Sequence, residues 1–469
     1  MVSLKDLKRI SNWLWEIPQN FRSDMRVPAR IYALEDMLAD ILSDRSIPQL
    51  INGTTLPGIV RYAIAMPDCH EGYSVPIGFV GAIRTLDGVI SPGSCGFDIN
   101  CGMKLLKSTL TEAEIKPYLE NLATEIQKQV PAGLGQGRPV KLNLKEIDKI
   151  LEGGAPALVK QGYGEKEDIE NCEANGRLDW ADVSAISVHA KDRGRDQVGT
   201  LGSGNHFLEL QRVQEIYDEK TANDFGLFKN QVVVMIHTGS RGLGHQVCTD
   251  YLKIMIPLMP KYGIKVPDKE FACVPFNSQE GQRYFRAMAA SANYAWANRQ
   301  LIAYYIRKAW QNILGASAGS RLTALYDVAH NIIKKEQYVI DGKETEVAVH
   351  RKGATRAFVG QPVLIPGSMG TASYVLVGQK KGEEAFYSAN HGAGRTMSRH
   401  EAMRRVSGQE VIKTLKSKGI IVKCWSERGI AEEAPMAYKN VDEVVAVIEN
   451  AGLSKKVVRL VPLAVIKGE

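Results

Sequence analysis

Asp98 and Cys101 stand three residues apart in SPGSCGFDINCG, residues Ser91 to Gly102. Glycine is costly to order and is used where a backbone must turn tightly or let another group approach. A glycine-bearing loop that presents a carboxylate and a thiol therefore reads as a ligand holder, with a plain turn around an inert cysteine as the bland alternative. The histidines weigh on the same question. Of nine in the chain, five follow β-like or apolar runs: His206 in GTLGSGNHFLE, His237 in VVVMIHTGSRGLGHQ, His330 in LYDVAHNI, His350 in VAVHRKGATRAF and His391 in FYSANHGAGR. Strand ends collect binding residues, because the sheet holds the backbone while the loop gives access. Together with Asp98 and Cys101 they point to a metal centre. Thiolate and imidazole suit borderline divalent metals, and a carboxylate admits harder ions such as Mn²⁺. The spacings fit no structural zinc pattern, so the ligands of a catalytic centre would come from distant parts of the chain.

A second group of residues suits a nucleotide. IPGSMGTASY, Ile365 to Tyr374, offers hydroxyls and bare amides, and HGAGR, His391 to Arg395, is a glycine turn running toward a basic segment. Backbone N–H groups at a helix start attract phosphate, and an imidazole beside such a cradle can act as a nucleophile. Neither stretch is a Walker A loop or a dinucleotide fingerprint. From Arg395 to Lys423 the basic residues Arg395, Arg399, Arg404, Arg405, Lys413, Lys416, Lys418 and Lys423 face only Glu401 and Glu410. This is either a solvated helix face or a surface for phosphates.

The elements that must position these residues form an α/β pattern. VRYAIAMPD, IGFVGAIRT, QVVVMIHTGS, EVAVHRKGA, QPVLIPGS, YVLVGQ and VVRLVPLAVIKG are Val/Ile-rich runs bounded by Gly or Pro, as strands are. RVPARIYALEDMLADILSD reads as a helix, and GQRYFRAMAASANYAWANRQLIAYYIRKAWQNIL as one long helix, apolar on most sides and so largely buried. SRHEAMRRVSGQEVIKTLKSKG and VDEVVAVIENAG add two more. The expectation is a mixed-sheet core with surrounding helices, over residues 1–469 as one catalytic domain without a clean internal boundary.

Bulk properties exclude some classes. The chain is 44% hydrophobic and 24% charged, ordinary globular composition. No apolar run would span a bilayer, and the first residues, MVSLKDLKRISNWLW, lack the core of a secretory signal. Seven cysteines without an export signal read as reduced thiols of a cytoplasmic protein. The net charge of +7 favours anionic partners only mildly.

DINCG, GSGNHFLE, HTGSRGLGHQ, YDVAHN, VHRKGATRAF, PGSMGTASY, HGAGR, EEAPMAYKNVDEV and the closing KG closely resemble the RtcB family of GTP-dependent RNA-splicing ligases, from MPDCHEGYSVPIG to Lys467. The resemblance implies an RtcB-like fold and the joining of RNA 2′,3′-cyclic phosphate or 3′-phosphate ends to 5′-hydroxyl ends, with GTP and two Mn²⁺ ions. One ion would be held by Asp98, Cys101 and His206, the other by Cys101, His237 and His330, with the Cys101 sulfur shared. His391 would be the guanylylated residue. Guanine nucleotide would lie against Asn205, His206, Phe207, Leu208, Glu209, His330, Asn331, Pro366, Gly367, Ser368, Met369, Ser373, His391, Gly392, Ala393, Gly394, Tyr438 and Lys467. Arg241 and Arg399 are candidates for gripping RNA phosphates, and Asp68 with His70 for lining the cleft. The resemblance also admits an archease-type activator as a partner. Cys69 and Cys95 stand where the family commonly carries other residues.

Two other readings use the same residues. A dinuclear metal-dependent phosphatase or cyclic phosphodiesterase would need the ligand set but neither His391 nor Lys467. An RNA-binding module without catalysis would have no use for a shared thiolate.

Overall fold

The computed structural model describes residues 2–133, 142–315 and 321–468. Two large sheets dominate it. One has seven strands in the order Lys8–Ser11, Leu14–Ile17, Ala29–Tyr32, Ile59–His70, Ile77–Arg84, Lys343–Lys352 and Asn331–Ile340. The other has eight: Thr323–Ala329, Gly102–Thr111, Gln231–Thr238, Phe207–Ile216, Ser454–Lys467, Ser373–Gly378 and Pro362–Ile365 along its main path, with Ile421–Cys424 pairing parallel to Ser454–Lys467. All the Val/Ile-rich runs singled out in the sequence lie in strands.

The first predicted helix is partly wrong. Ala29–Tyr32 is a strand, antiparallel to Leu14–Ile17 and parallel to Ile59–His70, with Ala29 and Ile31 buried between them. The helix begins only at Glu35, where the first-turn acids Glu35 and Asp36 suit its positive end. The strand pairing overrides an apolar spacing that both structures would satisfy. The basic segment differs as well: SRHEAMRRVSGQEVIKTLKSKG is two helices, Arg399–Arg405 and Gly408–Ser417. Ser407 restarts the chain with a capping box, its hydroxyl accepting from the Glu410 N–H while the Glu410 carboxylate accepts from the Ser407 N–H.

The long helix runs from Gln279 to Leu314, capped by Ser278 and buried on most sides, as its composition predicts. It is not purely apolar. Asn293, Asn298, Arg299 and Gln300 are buried within it, and buried polar groups must find partners. Asn298 and Arg299 find them on the loops that carry the site, whereas Asn293 bonds to Leu178 and Gln300 to Asp168.

Cross-strand register explains why distant residues meet. Gly102 pairs with Ala329 on one side and Thr238 on the other, and His237 pairs with both Met103 and Phe207. Cys101, His206, His237 and His330 thus sit at or just beyond the same end of four neighbouring strands. Adjacent strands are spaced by about 4.8 Å, so side chains at that end converge. His330 also joins the two sheets, since Thr323–Ala329 belongs to the eight-stranded sheet and Asn331–Ile340 to the seven-stranded one.

Candidate active site

At that strand end two donor groups form, Asp98 with Cys101 and His206, and Cys101 with His237 and His330, each with its ligand atoms within 4.8 Å of one another. Cys101 belongs to both. Its Sγ lies 3.4 Å from His206 Nε2 and 3.4 Å from His237 Nε2, and His237 Nε2 is 3.4 Å from His330 Nε2. His206 Nε2 is 2.9 Å from Asp98 Oδ2. His237 directs Nδ1 at the Asn205 carbonyl, 3.0 Å away, which leaves Nε2 turned to the cluster. The buried Nδ1 of His330 has no partner.

Electrostatics prepare these donors for a cation. Burial opposes ionisation of Asp98, but the His206 hydrogen bond and charge, with help from Arg241, hold its carboxyl well below the usual range. Burial pushes the Cys101 thiol up, and the Asp98 charge pushes it further. Burial drives His237 and His330 down, so both imidazoles are neutral and hold free lone pairs. Lone pairs facing one another in a dry pocket are unfavourable without a cation between them. The two donor groups, with the Cys101 sulfur in common, are compatible with metal binding.

The loops are tightly held. Ser240 donates its N–H and hydroxyl to Asp98 Oδ1 at 2.9 and 3.1 Å, and Asn331 donates Nδ2 to the Asp98 carbonyl at 3.0 Å. Gly239 is required beside them, because a Cβ there would come 2.5 Å from Asp98 Oδ1. Behind the cluster, Arg299 of the long helix is fully buried. It donates to Asp327 Oδ1 at 2.9 Å, to the Asn100 carbonyl at 2.8 Å and to the Thr238 carbonyl at 2.9 Å. Its three partners lie on the strands or loops that carry His330, Cys101 and His237. Asn298, one residue earlier, donates to the carbonyls of Thr200 and Gly239. Nothing in the sequence around Arg299 marks it out.

Arg299→Met is expected to lower stability by ~3–5 kcal/mol, because it breaks a buried ion pair and leaves Asp327 facing Lys104 alone, 3.7 Å away. It should also weaken metal binding by about 10–100-fold, the usual effect of losing an outer partner of a ligand set. Thermal unfolding and metal titration read the two effects separately, and an unchanged metal affinity would deny Arg299 its clamping role.

His391 stands beside the cluster, its ring 4.9 Å from that of His330 between centroids. Its Nδ1 is 2.6 Å from Oδ2 of Asp68, a charge contact without hydrogen-bond alignment. The same oxygen accepts the His391 and Gly392 N–H groups at 3.1 and 3.2 Å. Those amides are therefore committed to Asp68, and HGAGR does not feed a helix directly, since the next helix begins at Arg399. This corrects the phosphate-cradle expectation for the turn. Gly394 takes φ +77°, and a Cβ there would meet the Asp68 carbonyl oxygen at 2.2 Å.

A cavity of about 340 Å³ opens in front of these groups. It is lined by Asp98, Cys101, His237, His330 and His391, and by Asn205, Phe207, Asn331, Pro366, Gly367, Ser368, Met369, Gly392, Ala393, Gly394, Tyr438 and Lys467. Glu209 shares the Phe207 face of its strand and is tied through Gln211 to Ser373. Leu208 points the other way, into an apolar cluster with Leu106 and Ile302. Any nucleotide contact from it falls to the backbone. Burial raises the Glu209 carboxyl to about 8 and lowers the Lys467 ammonium to about 8.

Arg399 and His70 line the cavity, whereas Arg241 packs behind it, with Nη1 3.5 Å from His206 Nδ1. Glu433, unremarked in the sequence, is buried at the rim and pairs with Arg395 at 3.0 Å and Arg399 at 3.2 Å, while accepting from the Tyr438 hydroxyl. His350 does not join the site. It is fully buried in mid-strand, opposite Gly81 and Ile333, its Nδ1 3.0 Å from the Ala348 carbonyl, and burial lowers it to about 4.

Among the described residues no helix is long and apolar enough to cross a membrane. A family model described as tRNA-splicing ligase RtcB matches residues 49–468. A tRNA-splicing ligase RtcB of Thermococcus kodakarensis is 49% identical, covering 100% of both chains. One of Nanoarchaeum equitans is 50% identical over 98% of this chain and 99% of its own. An RNA-splicing ligase RtcB of Mycobacterium tuberculosis is 49% identical over 90% of this chain and 100% of its own.

Proposed function

We propose, since the chain belongs to the RtcB family, that it is an RNA ligase of tRNA splicing or RNA repair, working in the cytoplasm as one catalytic unit. Its substrates are RNA ends with a 2′,3′-cyclic phosphate or 3′-phosphate and ends with a 5′-hydroxyl. GTP is the donor of GMP, and two Mn²⁺ ions are the metals, held by Asp98, Cys101 and His206 and by Cys101, His237 and His330. When bound, the ions would neutralise and orient phosphate oxygens at the reacting centre.

The observation that carries this reading over a plain hydrolase is His391, held between Asp68 and His330 at the wall of the cavity. The Asp68 carboxylate, 2.6 Å from Nδ1, favours the proton on that nitrogen through its charge, which leaves the Nε2 lone pair free. Nε2 attacks the α-phosphorus of GTP; the N–P bond forms as the bond to pyrophosphate breaks. A cyclic end is first opened by water, which adds to phosphorus as the bond to O2′ breaks; an oxygen of the resulting RNA 3′-phosphate then takes the GMP, which frees His391. Attack by the 5′-hydroxyl expels GMP and seals the strand. Glu209 supports the choice of guanine: a carboxylate accepts from both N–H groups on that base edge, and nucleobase donors would ease the buried charge that raises its pKa. Lys467 and Arg399 supply positive charge at the rim.

Incubation with α-labelled GTP and Mn²⁺ should place acid-labile label on the protein and none on His391→Ala. Unlabelled protein that still opens a cyclic phosphate would favour the phosphodiesterase instead.

A further inference from the structure

Phe97, the residue before Asp98, is the one large apolar side chain of SPGSCGFDINCG besides Ile99. Ile99 is fully buried. Phe97 is not: its ring is only partly buried and lines the cavity together with Tyr73. The core phenylalanines Phe79, Phe271, Phe276 and Phe386 show how this chain treats the residue where packing alone is wanted, since each has no accessible surface.

The ring is also fixed. His245, exposed on the helix Arg241–Met255, stacks on it with centroids 4.9 Å apart and planes 29° from parallel. Tyr73 meets it edge-on at 5.2 Å and 65°. Three rings, two from loops and one from a helix, thus form a wall beside the donor cluster. Basic groups flank it. Lys352, at the cavity, donates to the Tyr73 carbonyl, and the exposed Arg193 donates to Gln246, the neighbour of His245. Rigid aromatic faces among cations are how proteins take single-stranded nucleic acid, because every base has a face that stacks. None of the residues proposed above for guanine nucleotide belongs to this wall, so a base on it belongs to RNA rather than to GTP.

We propose that Phe97, backed by His245 and Tyr73, is a stacking platform for the nucleobase at an RNA end. The platform would set that end beside Asp98 by its base, without regard to sequence. This rests on the RNA-ligase reading and adds a recognition element to it.

The test uses short fluorescein-labelled RNAs whose binding is read by anisotropy. One carries a 3′-phosphate with its last base present or removed; the other carries a 5′-hydroxyl with its first base present or removed. Base removal at one of the two ends should weaken binding to the unaltered protein by about tenfold, and the end that responds is the one on the platform. Phe97→Leu and Phe97→Ala should bind base-bearing and abasic ends alike, and Phe97→Trp should keep the preference. Comparing two RNAs on one protein cancels any general loss of folding. Equal binding of abasic and intact ends by the unaltered protein, at both ends, would overturn the platform, as would a Phe97→Leu protein with an undiminished preference. Neither result touches label transfer to His391, whose absence would instead defeat the ligase reading.

Discussion

Cys101→Ser should lose both ions and, with them, all ligation. The two donor groups meet only at this sulfur, and a serine hydroxyl does not ionise to replace a thiolate. Metal affinity is expected to drop by more than ~10²-fold, beyond what loss of an outer partner costs. Substituting Co²⁺ gives a readout independent of catalysis, because a cysteine thiolate bound to it absorbs by charge transfer and the serine variant would not. Cys172→Ser, a buried cysteine outside both groups, is the control, and comparable activity in the two variants would refute the shared ligand. The pH dependence has a definite sign. Burial and the Asp98 charge hold the free thiol protonated at neutral pH, so binding must expel that proton. Affinity should therefore strengthen as pH rises, with release of about one proton per cluster, measurable in weakly buffered solution during titration.

Asp68→Asn is expected to slow guanylylation by ~10²–10⁴-fold, the order of loss seen when an imidazole is left in the wrong tautomer. Asp68 is fully buried, and one of its oxygens serves His391 Nδ1 and two backbone amides at once. An amide oxygen in the same place could still accept from the backbone, but it would lack the negative charge that favours a proton on Nδ1. A proton on Nε2 instead would block the atom proposed to attack. Initial rates of label incorporation test this, with metal titration alongside because Asp68 is outside both donor groups. Guanylylation at the unaltered rate would remove Asp68 from any role in positioning His391.

The donor set could be read from the sequence because each member sits in a motif with its own neighbours, and strand register does the rest. His350 shows the limit of that logic. VAVHRKGATRAF looks like a strand end before a glycine, yet the strand continues to Lys352 and His350 stays inside the sheet. The residues that hold the site were less legible. Arg299 lies in ANRQLIA, a polar position on a buried helix, and its partner Asn100 is 199 residues away. Glu433 was visible only as part of EEAPMAYKN, and its pairing with Arg395 and Arg399 depends on a fold that local pattern does not encode. Asp68 was placed in the cleft, but its grip on His391 spans 323 residues. Local periodicity likewise could not separate the strand Ala29–Tyr32 from the helix that follows it.

The cavity draws on Asp98 early in the chain and on Lys467 at the end of a strand threaded between two others. Residues as far as Lys467 must therefore leave the ribosome before that strand can insert and close the cavity. A product stopped before Ser454 would hold the thiol and imidazoles but lack the wall that Lys467 supplies.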